Sequence, residues 1–249
     1  MTSEPGPQVV VVTGAGAGIG RAIALEFGRS GAKVAVAART RADIEAVADE
    51  ITAAGGAALA IPIDVADPGS VEAVLRDIRR ALGPIDVLVN NAGTPGPRAF
   101  TQDVTPAEFL EVIQTNLWGT FLCTKFVLPT MIARRRGVIV NMTGGGAASD
   151  RPLRGGIAYA SSKAGVEGFT RNLAIEVGSL GIAVNAIQPG RVDTRGFPAA
   201  TITSGAGNLV PPDHAARLAV WLTTGEGREL QGQTIDAAAW DRSRGGMVG

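Results

Sequence analysis

Residues 8–20 read Gln8-Val9-Val10-Val11-Val12-Thr13-Gly14-Ala15-Gly16-Ala17-Gly18-Ile19-Gly20, an apolar run followed by a glycine-rich turn. A continuous run of β-branched residues predicts a strand that is buried on both faces. Apolar residues then recur at helical spacing over Arg21–Arg29, so the turn leads into a helix. Glycine lets the backbone approach a pyrophosphate, and the amino end of a helix stabilises an anion. The stretch favours a dinucleotide-binding unit; the alternative is a turn that needs glycine only for its geometry.

Short apolar runs and longer helical patterns alternate along the rest of the chain. Runs that predict strands lie at Lys33–Ala38, Ala57–Ile63, Ile85–Val89, Val138–Asn141, Ile182–Ile187 and Gln233–Ile235. Patterns that predict further helices lie at Ala42–Ala54, Pro68–Leu82, Pro106–Arg136 with a break near Pro129, Ile157–Gly178 and Asp213–Thr223. Such alternation indicates parallel strands with right-handed crossovers. We predict one α/β domain over residues 1–249, a Rossmann-type doubly wound parallel sheet of about seven strands with helices on both faces. Residues 1–7 and 241–249 are expected to be flexible tails.

Composition narrows the possible partners. Lys and Arg total 23, as do Asp and Glu, so the formal net charge is zero and nucleic acid is not an expected partner. No apolar stretch is long enough to span a bilayer, so no membrane partner is expected. Cys123 is the only cysteine, which excludes an internal disulfide and fits a reducing compartment. His214 is the only histidine, and we expect no metal site. A soluble, cytoplasmic protein is therefore predicted.

The only tyrosine, Tyr159, stands four residues before Lys163. In a helix these positions lie on one face, so a phenol would lie beside an ammonium. A nearby positive charge favours the phenolate and lowers the tyrosine pKa toward the range in which it can exchange protons. Tyrosine and lysine also fall four apart by chance in many helices, so the interpretation depends on the other motifs.

Several motifs, in order, resemble those of the short-chain dehydrogenases/reductases. They are Thr13–Gly20 (T-G-x-x-x-G-x-G), Asn90-Asn91-Ala92-Gly93 (N-N-A-G), Tyr159-x-x-x-Lys163 (Y-x-x-x-K) and Pro189-Gly190-Arg191-Val192-Asp193-Thr194 (P-G-x-V-x-T). Asn116 lies where the family has a catalytic asparagine, in a long helix before the fifth strand. The resemblance extends roughly from Gln8 to Asp236. It implies an oxidoreductase that transfers a hydride between a nicotinamide cofactor and a small ketone or secondary alcohol.

The resemblance also implies roles for individual residues. Tyr159 would be the general acid or base, Lys163 would bind the nicotinamide ribose and lower the tyrosine pKa, and Asn116 would hold a water of the proton relay. Asn90 would contact the adenosine ribose. The implied cofactor-binding residues are Gly14, Gly16, Gly18, Ile19, Gly20, Arg39, Thr40, Asp64, Val65, Asn91, Ala92, Gly93, Tyr159, Lys163, Pro189, Gly190, Val192 and Thr194. The apolar helices Pro106–Met131 and Ile157–Gly178 favour a homo-oligomer, and the family commonly forms dimers or homotetramers; the alternative is that these helices are simply well buried.

The end of the second predicted strand bears on the choice of cofactor. A carboxylate there would bind the ribose 2′-hydroxyl of NAD(H) and repel a 2′-phosphate. This chain has Ala38 followed by Arg39. A guanidinium binds phosphate in a fork, so we predict a preference for NADP(H). NAD(H) stays possible if Arg39 points to solvent.

The segment after the fifth strand departs from the family pattern N-x-S-S. It reads Asn141-Met142-Thr143-Gly144, which puts Gly144 at the position of the usual catalytic serine. The hydroxyl of Thr143 has the same donor capacity, and Ser149 lies further along the loop. We predict that Thr143 is the catalytic substitute. The alternative function is a catalytically weak NADP(H)-binding sensor or regulatory protein of the same fold.

Overall fold

The computed structural model describes residues 7–144, 153–194 and 209–244. Its strands are β1 Val9–Thr13, β2 Lys33–Ala38, β3 Ala57–Pro62, β4 Val87–Asn90, β5 Gly137–Met142, β6 Ile182–Gln188 and β7 Thr234–Asp236. They form one seven-stranded sheet in the order β3-β2-β1-β4-β5-β6-β7. Every neighbouring pair is parallel. The predicted doubly wound sheet is confirmed.

Helices cover both faces of this sheet. They are α1 Gly18–Arg29, α2 Arg41–Ala53, α3 Pro68–Leu82, α4 Pro106–Ile113, α5 Gly119–Arg134, α6 Ile157–Val177, α7 Asp213–Trp221 and α8 Ala237–Ser243. One apolar core includes side chains of α1, α2 and α7, and the other includes side chains of α3, α5 and α6. Because both faces are covered, the strands are apolar throughout instead of alternating with polar residues. No helix of the described segments is long and apolar enough to cross a membrane.

Two expectations about helix ends are wrong. Helix α5 does not break at Pro129 but continues through it to Arg134. The buried side chains Leu122, Val127 and Met131 hold α5 against the sheet, and this packing offsets the hydrogen bond that proline removes. The irregularity lies instead in a π turn over Gln114–Trp118. The tail predicted over 241–249 also begins too early, because Asp241 lies in α8 and is buried; residues 1–6 and 245–249 of the two predicted tails lie outside the described residues.

The strand order places a crevice at the carboxyl edge of the sheet. The chain passes from β1 to β2 and β3 on one side, and then crosses back to place β4 on the other side of β1, so the strand order reverses between β1 and β4. Ligands of open α/β sheets bind outside the carboxyl ends of the strands at such a point. The segments that follow β1, β4, β5 and β6 all contribute residues to one cavity there.

Candidate active site

The glycine-rich turn after β1 is held in place by Asn91. The Asn91 side-chain amide donates to the carbonyls of Thr13 and Gly14 at 3.0 and 3.1 Å. In return, the Thr13 hydroxyl accepts hydrogen bonds from the backbone N–H groups of Asn91 and Ala92. A Cβ at Gly20 would overlap both the Asn91 amide and the Gly14 carbonyl, so this position requires glycine. The turn is therefore fixed by contacts within the protein.

Helix α1 begins inside this turn without a side-chain cap. Its N-cap residue is Ala17, which makes no side-chain capping bond, so the first-turn N–H groups are available to an anion. The loop after β6 approaches the same point, since a Cβ on Gly18 would contact the Thr194 methyl group. Together these segments form one wall of a cavity of about 320 Å³.

Most of the predicted site residues line this cavity. They are Gly14, Gly18, Ile19, Gly20, Asn91, Ala92, Gly93, Thr143, Tyr159, Lys163, Pro189, Gly190, Val192 and Thr194. Ala17 and Met142 also line the cavity, although the motifs did not indicate them as site residues. The cavity wall does not include Gly16, Arg39, Thr40, Asp64, Val65 or Asn116. Arg39 and Thr40 are exposed just beyond β2, next to Ala37, whose carbonyl accepts a hydrogen bond from the N–H of Ala15 in the glycine-rich turn. Asp64 is exposed and Val65 is buried beyond β3.

Tyr159 and Lys163 lie one turn apart on α6. The Lys163 ammonium donates to the Met142 carbonyl at 2.8 Å and lies 5.8 Å from the centre of the Tyr159 ring. Burial lowers the pKa of Lys163 to about 8. Burial also raises the pKa of Tyr159 above its ordinary value. The expected lowering of the tyrosine pKa by Lys163 is therefore not seen here, because the loss of hydration outweighs the ammonium, which binds Met142.

Asn116 lies behind the cavity, in the π turn, and is fully buried. Its side-chain oxygen accepts from the Thr94 N–H at 2.8 Å, and its amide donates to the Thr94 carbonyl and to the Ser162 hydroxyl. Both Asn116 and Lys163 approach Gly93. Asn116 therefore ties the segment after β4 to the turn of α6 that carries Lys163.

Asn90 does not face the site. Its side-chain amide donates to Asn141 at 2.9 Å and to Thr124 at 3.2 Å, and the residue is buried. Asn141 in turn donates to the Thr170 hydroxyl. The Asn90 side chain is thus engaged in a network between strands and helices, and the expected contact of this residue with a ribose stays a prediction.

Thr143 and Gly144 occupy the turn where the family has serine. The Thr143 hydroxyl donates to the carboxylate of Glu167 at 2.9 Å, and the residue is only 2% exposed. Gly144 lies directly against Tyr159, and a Cβ there would overlap the phenol oxygen. The structure thus gives the Thr143 proton a partner inside the protein. The role of Thr143 as a substrate donor stays a prediction.

No cluster of three or more His, Cys, Asp or Glu side chains suited to a metal ion occurs in residues 7–144, 153–194 and 209–244. A phenol and a buried amine instead share one cavity with a glycine-rich turn at the switch point of a parallel sheet. This combination defines a dinucleotide-dependent oxidoreductase.

Comparison with known proteins gives the family. The family model described as short chain dehydrogenase matches residues 8–203. The chain belongs to the short-chain dehydrogenase/reductase family and is an oxidoreductase that acts on CH–OH or C=O groups.

Similar proteins include two bacterial reductases and two solved structures. The 3-oxoacyl-(acyl-carrier-protein) reductase FabG of Staphylococcus aureus is 41% identical over 181 residues, 72% of each chain. FabG of Escherichia coli K12 is 35% identical over 237 residues, 92% of this chain and 94% of its own. A variant of actinorhodin polyketide ketoreductase with NADPH has a TM-score of 0.86 at 32% identity, over 92% of this chain and 95% of its own. A dehydrogenase/reductase from Sinorhizobium meliloti 1021 has a TM-score of 0.84 at 33% identity, over 95% of this chain and 96% of its own.

Proposed function

We propose that this enzyme reduces a ketone to a secondary alcohol with NADPH, and catalyses the reverse reaction with NADP⁺, using Tyr159 as the general acid or base. One observation carries this proposal: Tyr159 and Lys163 line the same cavity as the glycine-rich turn. The polyketide ketoreductase and the FabG proteins are reductases by name, which supports the direction of reduction. 3-Oxoacyl thioesters are therefore the first substrates to test.

The residues around the cavity fit a nicotinamide dinucleotide. The uncapped first turn of α1 and the adjoining glycine-rich turn suit a pyrophosphate. Lys163 would bind the nicotinamide ribose, and the backbone of Val192 would bind the carboxamide. When bound, the cofactor supplies or accepts the hydride, while the protein supplies position and electrostatics.

The proton would come from Tyr159. Because burial raises its pKa, the phenol is protonated near neutral pH, which is the form that carbonyl reduction requires. Lys163, with a pKa of about 8, is well matched to proton exchange at neutral pH. Asn116 is fixed by three hydrogen bonds beside Gly93, and the remaining acceptor site of its side-chain oxygen would hold a water of the proton relay near Lys163.

The test is NADPH oxidation in the presence of a 3-oxoacyl thioester and of simple ketones. Tyr159→Phe keeps the ring and removes the hydroxyl, so we expect kcat to fall by about 10²–10⁴-fold. The dissociation constant for NADPH should change little, which a binding titration would measure. Full turnover in Tyr159→Phe, or an absence of NADPH binding by the wild type, would contradict the proposal.

We further propose that NADP(H) is preferred over NAD(H). Arg39 and Thr40 lie just past β2, and the bond from Ala15 to Ala37 brings the end of β2 close to the glycine-rich turn. The side chain of Thr40 does not cap α2 and can bind a phosphate. Arg39→Asp should raise the KM for NADPH and lower that for NADH, with Arg41→Asp as the control in the next helix. A wild-type preference for NADH would overturn this assignment.

A second candidate is the sensor or regulatory protein. The observation that favours it is the turn after β5, where Gly144 has no side chain and the Thr143 hydroxyl binds Glu167. Tight NADPH binding without turnover of any carbonyl or alcohol would select this function. Retention of Tyr159, Lys163 and Asn116 favours the enzyme, since binding alone does not need all three.

We also infer a homo-oligomer, a dimer or tetramer. Leu110, Trp118 and Ile175 are large apolar side chains that are 54%, 41% and 82% exposed. They lie on α4, the π turn and α6, three segments in contact with one another. Exposed apolar groups on adjacent helices are typical of subunit contacts. The cytoplasmic location stays a prediction.

A further inference from the structure

Glu167 is a buried carboxylate one helical turn beyond Lys163. It is 3% exposed, and its Oε1 atom accepts the hydrogen bond from Thr143 at 2.9 Å. Its Oε2 atom lies 3.9 Å from Arg171, whose side chain is 58% exposed. A buried charge is costly unless it is hydrogen-bonded, so the bond from Thr143 matters to Glu167 as much as to Thr143.

The same bond decides what Thr143 can do. A hydroxyl can donate one hydrogen bond, and here Glu167 accepts it. The Thr143 backbone N–H also donates to the Ile187 carbonyl at 2.9 Å. While these bonds hold, Thr143 cannot donate to a substrate oxygen.

Two successive residues at the end of β5 are therefore held by two successive turns of α6. Lys163 binds the Met142 carbonyl, and Glu167 binds the Thr143 side chain. The next residue, Gly144, lies against the Tyr159 hydroxyl. Any movement of Thr143 away from α6 would carry Gly144 with it and change the space around that hydroxyl.

We propose that Glu167 is a positioning residue for the reaction: by binding Thr143 it fixes the turn after β5 against Tyr159. The proposal rests on the proposed function of Tyr159. It gives Thr143 a structural part in the site in place of direct donation to the substrate.

A double-mutant cycle tests the proposal in the full-length protein. Thr143→Val keeps the shape and removes the hydroxyl, and Glu167→Met removes the acceptor. Each should lower kcat by about 10–100-fold through misplacement of the turn, with the KM for NADPH unchanged. The kcat of the double variant should be no lower than that of the single variant with the lower kcat, because both substitutions remove the same hydrogen bond. Thr143→Ser and Glu167→Gln keep the bond and should stay within a few-fold of the wild type.

A second measurement does not depend on turnover. Tyr159 is the only tyrosine, so phenolate absorbance during a pH titration reports its ionisation alone. Thr143→Val should let water reach the phenol and shift its ionisation to lower pH, whereas Thr143→Ser should titrate like the wild type. This titration tests the role of the Thr143–Glu167 bond even if the wild type has no carbonyl turnover. A lack of turnover would count against the proposed function and not against this inference.

Two results would overturn the proposal. One is a Thr143→Val protein that matches Thr143→Ser in both kcat and phenolate titration. This comparison does not require that any Glu167 variant folds. The other is an equal loss of kcat from Thr143→Val in the wild-type and Glu167→Met backgrounds, since that would mean Thr143 acts on the substrate independently of Glu167.

Discussion

The backbone of Gly144 leaves no room for a side chain next to Tyr159. A Cβ built there would overlap the phenol oxygen and lie 3.0 Å from the ring carbon that carries it. Gly144→Ser would restore the hydroxyl of the family pattern, yet we expect it to lower kcat by about tenfold or more, because a displaced acid loses its alignment. Gly144→Ala should cause a similar loss. Steady-state kinetics would measure both variants. A rise in kcat for Gly144→Ser alone would mean that the added hydroxyl outweighs the overlap with Tyr159, and would contradict this prediction.

Lys163 should cost stability at neutral pH. Burial holds its pKa at about 8 against an ordinary value of 10.5, so between these values the unfolded chain binds more protons and stability rises with pH. Lys163→Met should therefore be more stable than the wild type at pH 7 by up to about 3 kcal/mol, at ~1.4 kcal/mol per pKa unit. The loss of the donor to Met142 offsets part of this gain.

Urea unfolding of both proteins across this pH range would measure the effect. The difference in the free energy of unfolding between the two proteins should disappear as pH rises from about 8 toward 10.5. Cys123 and Tyr159, whose pKa values burial raises, oppose the trend in both proteins and cancel in the difference. A gap that stays constant with pH would rule out the titration of Lys163 as its cause.

Among the helices, α8 is bonded to α7 through one buried carboxylate, that of Asp241. Asp241 Oδ1 accepts from the Nε and Nη2 atoms of Arg217 at 3.0 and 2.8 Å, and Oδ2 lies 3.5 Å from His214. These bonds fasten α8 to the first turns of α7. Asp241→Asn should destabilise the protein by about 2 kcal/mol, less than for a fully buried pair because Arg217 is partly hydrated. Asp236→Asn is the matched control, because asparagine also caps α8 and should leave the melting temperature nearly unchanged. An equal fall in melting temperature for Asp241→Asn and Asp236→Asn would mean that the bonds from Asp241 to α7 add no particular stability.

The ends of helices and the irregular turns show where sequence reasoning stops. The sheet was predictable because apolar runs and glycine turns act locally, as in Val9–Thr13 and the turn that follows. The π turn was not, since Gln114–Trp118 has an ordinary helical pattern and Asn116 bonds to Thr94 and Ser162 at distant positions. The predicted break at Pro129 was wrong for the same reason, because the packing of α5 against the sheet outweighs the tendency of proline to end a helix.

In the site, too, local motifs were predictable from the sequence and long-range contacts were not. Motifs placed Tyr159, Lys163 and the glycine-rich turn around one cavity, because short spacings on a helix and a turn fix those positions. The partner of Thr143 is Glu167, 24 residues away, and no local pattern announces that bond. Asn90 and Asn91 are adjacent in sequence, yet only Asn91 faces the cavity, since successive side chains at a strand end point in opposite directions.

For the molecule as a unit, the exposed apolar helices predict self-association. The monomer mass is 25.4 kDa, and light scattering of the wild type should give two or four times this value. Ile175 is 82% exposed on α6, so Ile175→Asp adds a charge that a subunit contact would have to bury, and the mass should fall toward the monomer. Ala46→Asp is the matched control, because Ala46 is exposed on α2, on the opposite face of the sheet. A wild type that stays monomeric at high concentration, or an Ile175→Asp protein of unchanged mass, would count against this face as the subunit contact.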